Sequence, residues 1–301
     1  MAETARHPRP LVADIASLVV CTVIWSTTWR VIKLQLGGPS PLESVVYRFA
    51  LASALLFAWA AVRRGGLALT RRQHLEAVGQ GLFNFAVQYS LVYLAEETVS
   101  SGAMAVIFAG TPFLNLVLFH VARGQRAGPS AWIAAGLGLA GVAILSLSQT
   151  QGGSAAGAAA GVGMALLAVL AASIGNLFAD RAHAAGSPLI PSTAWAMAYG
   201  AGFLTLYLVL TGQRWSFDPS LRYVGSLFYL AAFGSGAAFV TYYALARRRG
   251  YAFASYVAAL TPPAAMAISS FTEGVRWGVA AFAGLALVLG GQALLIRRPK
   301  A

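Results

Sequence analysis

Charge, cysteine and long polar stretches are all scarce in this chain. Only 10% of its 301 residues are charged, against 58% hydrophobic, which excludes an ordinary soluble domain and a disordered chain alike. The single cysteine, Cys21, excludes an intrachain disulfide and a cysteine-built metal site. There is no His-Glu-x-x-His sequence, and no histidine stands in sequence beside Cys21, so the usual signatures of a hydrolytic site are missing. No long hydrophilic segment remains to build a separate soluble domain.

What is present is apolar helix-length sequence. A membrane-spanning helix needs about 20 apolar residues, so ten of them would use roughly two-thirds of the chain. Hydrophobic runs fall near 13–33, 41–62, 74–95, 98–121, 129–147, 157–179, 190–211, 221–245, 251–271 and 277–296. The first run is preceded by Asp14, carries Trp25 and Trp29 and has no small-x-small cleavage pattern after it, so it reads as a retained span.

The chain also reads twice. At an offset of 150, Phe83 meets Phe233, Tyr93 meets Tyr243, and Thr111-Pro112 meets Thr261-Pro262; Pro41 meets Pro191 and Gly141 meets Gly291. Five spans per copy is an odd number, so the second copy must enter from the opposite face. The expected fold is therefore all-α and integral to the membrane: ten transmembrane helices in two inverted five-helix repeats around a central cavity, with repeats at 1–152 and 153–301. The Gly/Ser-rich stretch 149–163 joins them, its later part opening the sixth helix. Inverted repeats of this kind mark carriers that alternate between two openings.

A formal net charge of +12 would point to nucleic acid in a soluble protein. Its distribution points to topology instead. With the N-terminus inside, fifteen basic residues fall in cytoplasmic segments (Arg6, Arg9, Arg63, Arg64, Arg71, Arg72, Arg123, Arg126, Arg181, Arg247, Arg248, Arg249, Arg297, Arg298 and Lys300), and only Arg214, Arg222 and Arg276 fall in outer loops. Both termini are thus expected in the cytoplasm, with anionic lipid as a partner and no nucleic acid.

Three local patterns carry a family resemblance. Trp25-Ser26-Thr27-Thr28-Trp29 through Lys33 ends the first span, Thr111-Pro112 and Thr261-Pro262 interrupt the fourth and ninth, and Gly-rich fifth and tenth spans (Gly136, Gly138, Gly141; Gly284, Gly290, Gly291) close each copy. Together with the five-plus-five arrangement, over about 12–297, this resembles the drug/metabolite transporter superfamily and its EamA-type ten-helix exporters, especially bacterial exporters of aromatic and other amino acids. The resemblance implies an inner-membrane carrier with a cavity between its halves, exporting small metabolites. Ser173 stands where the first copy has Trp25, so the resemblance also implies an asymmetric cavity.

Polar groups at membrane depth must find partners or face a wet cavity. Candidate substrate-binding residues are Trp25 and Thr28 on the first helix, Asn84, Gln88 and Tyr89 on the third, and Phe108, Thr111 and Asn115 on the fourth. Asn176 on the sixth, Phe239 and Tyr243 on the eighth, and Tyr256 and Thr261 on the ninth complete the set. Uncharged hydrogen-bonding groups interleaved with aromatic rings suit a small, partly apolar, zwitterionic solute. Pro112, Pro262 and Pro263 are candidate hinges, because each proline removes a helix hydrogen bond. Pro263 has no proline partner at Phe113, so the second copy is expected to bend more sharply. Arg30 and Arg48, in the outer half, pair with Glu43 or meet a substrate carboxylate; all three are gating candidates.

Every acidic residue falls near a span boundary or outside the spans, so no deep carboxylate relay is expected; proton coupling would have to act through Glu43, Glu97 or Asp180 at a cavity mouth. No cofactor or metal is expected. The leading reading is a secondary carrier exporting amino acids, aromatic and hydrophobic ones included, by alternating access. The alternative is a sugar- or nucleotide-phosphate transporter of the same superfamily, which would want deeper Lys or Arg clusters. A membrane-embedded enzyme or a channel ranks lower. With both halves fused, a monomer is expected to suffice.

Overall fold

The computed structural model describes residues 11–63, 66–124, 127–149, 155–254 and 256–296. Arg6, Arg9, Arg64, Arg126, Arg297, Arg298 and Lys300, which contribute to the expected orientation, lie outside the described residues, as does 150–154 of the connector. Among the described residues there is no strand. The helices run in order as α1 (Leu11–Lys33), α2 (Pro41–Val62), α3 (Arg71–Gln80), α4 (Gln88–Glu96), α5 (Ser101–Phe108), α6 (Thr111–Arg123) and α7 (Pro129–Gln149). There follow α8 (Ala155–Ala184), α9 (Leu189–Leu210), α10 (Leu221–Tyr229), α11 (Ala238–Arg249), α12 (Tyr251–Ala254), α13 (Tyr256–Glu273) and α14 (Val279–Ile296).

Among the described residues, seven segments are long and apolar enough to cross a membrane: Val12–Lys33, Pro41–Val62, Ser101–Arg123, Pro129–Ser148, Gly157–Ala184, Leu189–Leu210 and Leu221–Arg249. Val279–Leu295 is apolar but shorter. The expected spans near 74–95 and 251–271 are helical at their described residues, yet Gln80, Asn84 and Gln88 in the first and Thr261, Pro262 and Pro263 in the second lower their hydropathy. The surface agrees with a lipid solvent. Val23, Leu147, Leu167, Leu206, Val209 and Phe282 are exposed, whereas Arg48, Asn84, Gln88, Glu96 and Gln292 are buried. That arrangement reverses the usual placement of charged and amide side chains in water.

Local chemistry sets several helix starts. Ser40 and Glu43 form a reciprocal capping box ahead of α2, with Pro41 in its first turn, and Thr70 with Gln73 does the same for α3. Glu43 also accepts from the Ser216 backbone N–H at 2.6 Å. The expected pairing of Glu43 with Arg30 or Arg48 is therefore corrected: its oxygens take N–H groups at the helix start and in the 211–220 loop.

Between α3 and α4, residues Gly81–Val87 form a wide π turn, and Leu230–Ala237 does so between α10 and α11. The two π stretches sit at corresponding positions of the duplicated sequence. Such turns are uncommon and loosen the regular i→i−4 ladder, and they occur often at functional sites.

Long-range packing brings corresponding helices of the two copies together: α7 lies along α14 and α2 along α9. Glycine permits the first of these contacts. A Cβ at Gly141 would stand 2.5 Å from the Gly284 carbonyl oxygen, and one at Gly291 would stand 2.6 Å from that of Ala134. Gly138 accommodates the Phe113 ring, whereas Gly136 and Gly290 meet nothing within 4 Å and have no such packing role.

The fourth and ninth expected spans differ in a way the prolines alone did not predict. The helix breaks at Ala109–Gly110 in the first copy, while α13 runs on through Pro262 and Pro263. Gly110 precedes Thr111-Pro112 there, and Gln292 of α14 donates to the freed Ala109 carbonyl at 2.9 Å.

Candidate functional site

The helices enclose a cavity of about 300 Å³. From α1 come Trp25, Thr28, Trp29 and Ile32; from α4 and the π turn before it come Asn84, Gln88 and Tyr89. The broken fourth span supplies Phe108, Thr111, Pro112, Asn115 and Phe119. Ala172 and Asn176 enter from α8, Phe239 and Tyr242 from α11, and Ala258 and Thr261 from α13. Residues more than 200 positions apart in the chain thus face one space.

Aromatic rings frame it. Phe239 meets Trp25 at 5.4 Å, Phe85 at 5.2 Å and Tyr89 at 6.4 Å, while Trp29 meets Phe108 at 4.9 Å. Trp25 is held at both ends, since its Nε1 also donates to the Gly234 carbonyl at 3.2 Å. Asn84 donates to the Tyr243 hydroxyl at 3.0 Å, and a Cβ at Gly175 would stand 2.4 Å from the Asn84 amide. The close approach of α8 therefore fixes the orientation of Asn84. Thr28 donates to the Ile24 carbonyl at 2.8 Å and Thr261 to that of Val257 at 2.7 Å, the usual satisfaction of a hydroxyl within a helix.

The prolines change which groups are satisfied. Pro112 has no N–H for the carbonyl of Phe108, and the Thr111 hydroxyl donates to that carbonyl at 2.7 Å instead. Pro262 and Pro263 likewise leave the carbonyls of Ala258 and Ala259 without their helix donors, and Ala258 is a wall residue. Pro112 lies on the wall; Pro262 and Pro263 do not.

Two of the substrate-binding candidates lie elsewhere. Tyr243 is buried behind the wall, engaged by Asn84, and borders a separate small pocket with Gln80 and Arg247. Tyr256 packs against Phe253 at 5.7 Å, near the start of α13. Tyr242, one position before Tyr243, faces the cavity in its place. The remaining candidates, Trp25, Thr28, Asn84, Gln88, Tyr89, Phe108, Thr111, Asn115, Asn176, Phe239 and Thr261, share it. Ser173 is fully buried and does not line it, so the wall differs between the two copies.

Trp29 and Phe119 were not among the candidates. Each stands four residues beyond one that was, Trp25 and Asn115, so helical spacing alone could have found them. The gating candidates Arg30, Arg48 and Glu43 do not line the cavity. Glu97 is exposed, whereas its neighbour Glu96, which the sequence places only at a span boundary, is completely buried with neither carboxylate oxygen hydrogen-bonded.

Charged pairs mark both ends of the bundle. Lys33, at the end of α1, approaches Glu273 at 3.7 Å and donates to the Glu96 carbonyl at 2.9 Å. At the opposite end Asp14 takes Arg248 at 3.1 Å and Arg249 at 2.6 Å, and Arg123 pairs with Asp180. Among the described residues, no group of three or more His, Cys, Asp or Glu side chains could hold a metal ion.

A membrane-type helical bundle with a buried, mixed aromatic and amide cavity is the architecture of a small-solute transporter. The sequence profile of the EamA-like transporter family matches residues 14–147 and again 159–297, so the chain belongs to that family. It is a multi-pass membrane transporter rather than an enzyme. The chain is 28% identical over 291 residues to the uncharacterized inner membrane transporter YedA of Escherichia coli K12, covering 94% of this chain and 92% of that one. An uncharacterized transporter of Archaeoglobus fulgidus is 27% identical across 80% of this chain and 82% of its own. The Salmonella typhimurium protein PagO is 27% identical over 36% of each. A solved crystal structure, 18% identical, superposes with a TM-score of 0.69 over 94% of this chain and 96% of its own, a likeness of fold.

Proposed function

We propose that this protein is an inner-membrane secondary carrier that exports amino acids, aromatic and hydrophobic ones included, by alternating access. Its ten helices form two inverted five-helix repeats, 1–152 and 153–301, with both termini cytoplasmic, and one chain suffices for transport. The twofold match of the family profile supports the duplication. The repeat-related π turns support it as well.

The observation that carries the substrate reading is the cavity wall. Asn84, Gln88, Asn115 and Asn176 offer neutral donors and acceptors among the rings of Trp25, Trp29, Tyr89, Phe108 and Phe239. Amide groups can meet an ammonium and a carboxylate in turn, and the rings suit an apolar side chain. No lysine or arginine belongs to the wall among the described residues, which disfavours a sugar or nucleotide phosphate.

The test is a flux panel of labelled amino acids with purified protein in liposomes, run with and without a pH gradient. Saturable transport of several neutral amino acids is expected, with a larger loss on Trp25→Ala or Gln88→Ala than on Arg63→Ala, an exposed residue away from the cavity. No flux for any amino acid, or equal losses from all three variants, contradicts the reading.

A further inference from the structure

Arg48 is the largest fully buried side chain among the described residues. Its Nε donates to the Ser235 hydroxyl at 2.9 Å, while Nη1 and Nη2 make no well-formed hydrogen bond and have the polar hydroxyls of Tyr89 and Tyr93 as neighbours. Among the described residues no carboxylate lies within 4.0 Å of it, the buried Glu96 being near enough to interact through space but not to pair. Glu43, on the same helix, is engaged by Ser40 and Ser216, and Glu96 makes no hydrogen bond to the guanidinium. A buried cation without a directly paired carboxylate is an unfavourable arrangement in a protein interior, and in membrane proteins such residues mark solute or ion pathways.

The surroundings hold this cation in place. Its Cζ lies 4.4 Å from the centre of the Tyr89 ring and 5.4 Å from that of Phe49, and stacking of this kind fixes the guanidinium plane. Ser235 belongs to one π turn, and Tyr89 follows the other by two residues. The two irregular helix segments thus meet at Arg48 from opposite halves of the chain.

Arg48 is also next to the cavity. Tyr89, beneath the guanidinium, and Thr28 are both wall residues. Gly234 packs closely against both groups: a Cβ there would stand 3.2 Å from Thr28 Oγ1 and 3.4 Å from Arg48 Nη2. Hydroxyl and guanidinium therefore lie against the same glycine, and the guanidinium stands directly behind the wall.

We propose that Arg48 is the specificity determinant for a carboxylate: it supplies the fixed positive charge against which the acid group of the transported solute is neutralised. The inference rests on the amino-acid reading and sharpens it, because it requires the free acid. Amides and amines of the same skeleton lack the charge that Arg48 selects. Seated beside Thr28 and Tyr89, the carboxylate would leave the ammonium to Asn84 and Gln88 and the side chain to the rings.

The experiment measures binding to purified full-length protein, by quenching of tryptophan fluorescence and by thermal shift. The probes are phenylalanine, phenylalaninamide, phenethylamine and 3-phenylpropionate. Wild type is expected to prefer phenylalanine to its amide by about tenfold or more, the scale of one charge-assisted hydrogen bond. Arg48→Gln abolishes that preference by bringing the affinity for phenylalanine down to that for the amide, and Arg48→Lys restores part of it. Gly234→Ala, which crowds Thr28 and the guanidinium but keeps the charge, lowers the preference and serves if Arg48→Gln does not fold. A purely structural Arg48 would alter the melting temperature of the variants without changing the ratio of acid to amide.

An unchanged ratio in Arg48→Gln, or equal binding of acid and amide by wild type, overturns the proposal while leaving amino-acid transport standing. Arg48-dependent binding of 3-phenylpropionate without phenylalanine transport supports the carboxylate site and removes the amino-acid reading. No binding of either carboxylate overturns both.

Discussion

Gln292, on the last helix of the second half, donates a 2.9 Å hydrogen bond to the carbonyl of Ala109, where the fourth span of the first half breaks. The two residues are 183 positions apart, and both are buried. A helix interruption inside a membrane is tolerated only when its freed backbone groups find partners. One half of the protein therefore satisfies the discontinuity in the other, next to the cavity that both line.

Removing that donor should be felt in stability. Gln292→Leu leaves the Ala109 carbonyl unpaired and should cost about 1–3 kcal/mol, the penalty for an orphaned buried acceptor. Thr111→Val should cost a comparable amount by orphaning the Phe108 carbonyl, and Thr111→Ser should be nearly neutral. Thermal unfolding of purified protein in detergent checks both. An unchanged melting temperature in Gln292→Leu would show that the hydrogen bond carries no net stability.

The α7–α14 contact should tolerate no side chain. Gly141→Leu or Gly284→Leu forces the two backbones apart, because even a Cβ would stand 2.5 Å or 2.7 Å from the opposing carbonyl oxygen. Overpacking of this kind costs about 1–3 kcal/mol, and the yield of folded protein should fall with it. Gly136→Leu and Gly290→Leu, where a Cβ meets nothing within 4 Å, should leave both yield and melting temperature unaltered.

Arg123 and Asp180 join the ends of α6 and α8, two helices that line the cavity. Both side chains are partly exposed, so the pair contributes little to folding, about 1 kcal/mol or less. Its consequence should instead be in transport. Arg123→Asp or Asp180→Arg alone should reduce the maximal flux severalfold with little change in melting temperature, and the double reversal should recover most of it. Failure of the double variant to recover flux would separate this ion pair from the opening of the cavity.

Much of this architecture was legible in the sequence because membrane helices obey strong constraints. Length and apolarity located the helical segments, and the 150-residue self-match aligned stretches that both form π turns. Polar residues at depth located most of the cavity wall, since an amide in lipid needs a partner or a wet space. Helix rotation was harder to read: Tyr243 and Tyr256 have the chemistry of wall residues but point elsewhere. The broken fourth span needed Gly110 and Gln292 as well as Pro112, and the last of these contacts is tertiary. Glu96 and Arg48 show the same limit. Distance from a span boundary does not report burial, which depends on what the neighbouring helices cover.

The account depends most on the two halves lying upside down relative to each other. Arg72 and Arg222 occupy corresponding positions in the duplicated sequence, and both are exposed. Cys21 is fully buried, so a cysteine introduced at either position can be labelled without interference from an exposed native thiol. With a membrane-impermeant maleimide applied to intact cells, inverted halves predict labelling of Arg222→Cys and protection of Arg72→Cys until the membrane is opened. Labelling of both from the same side would contradict the inverted architecture.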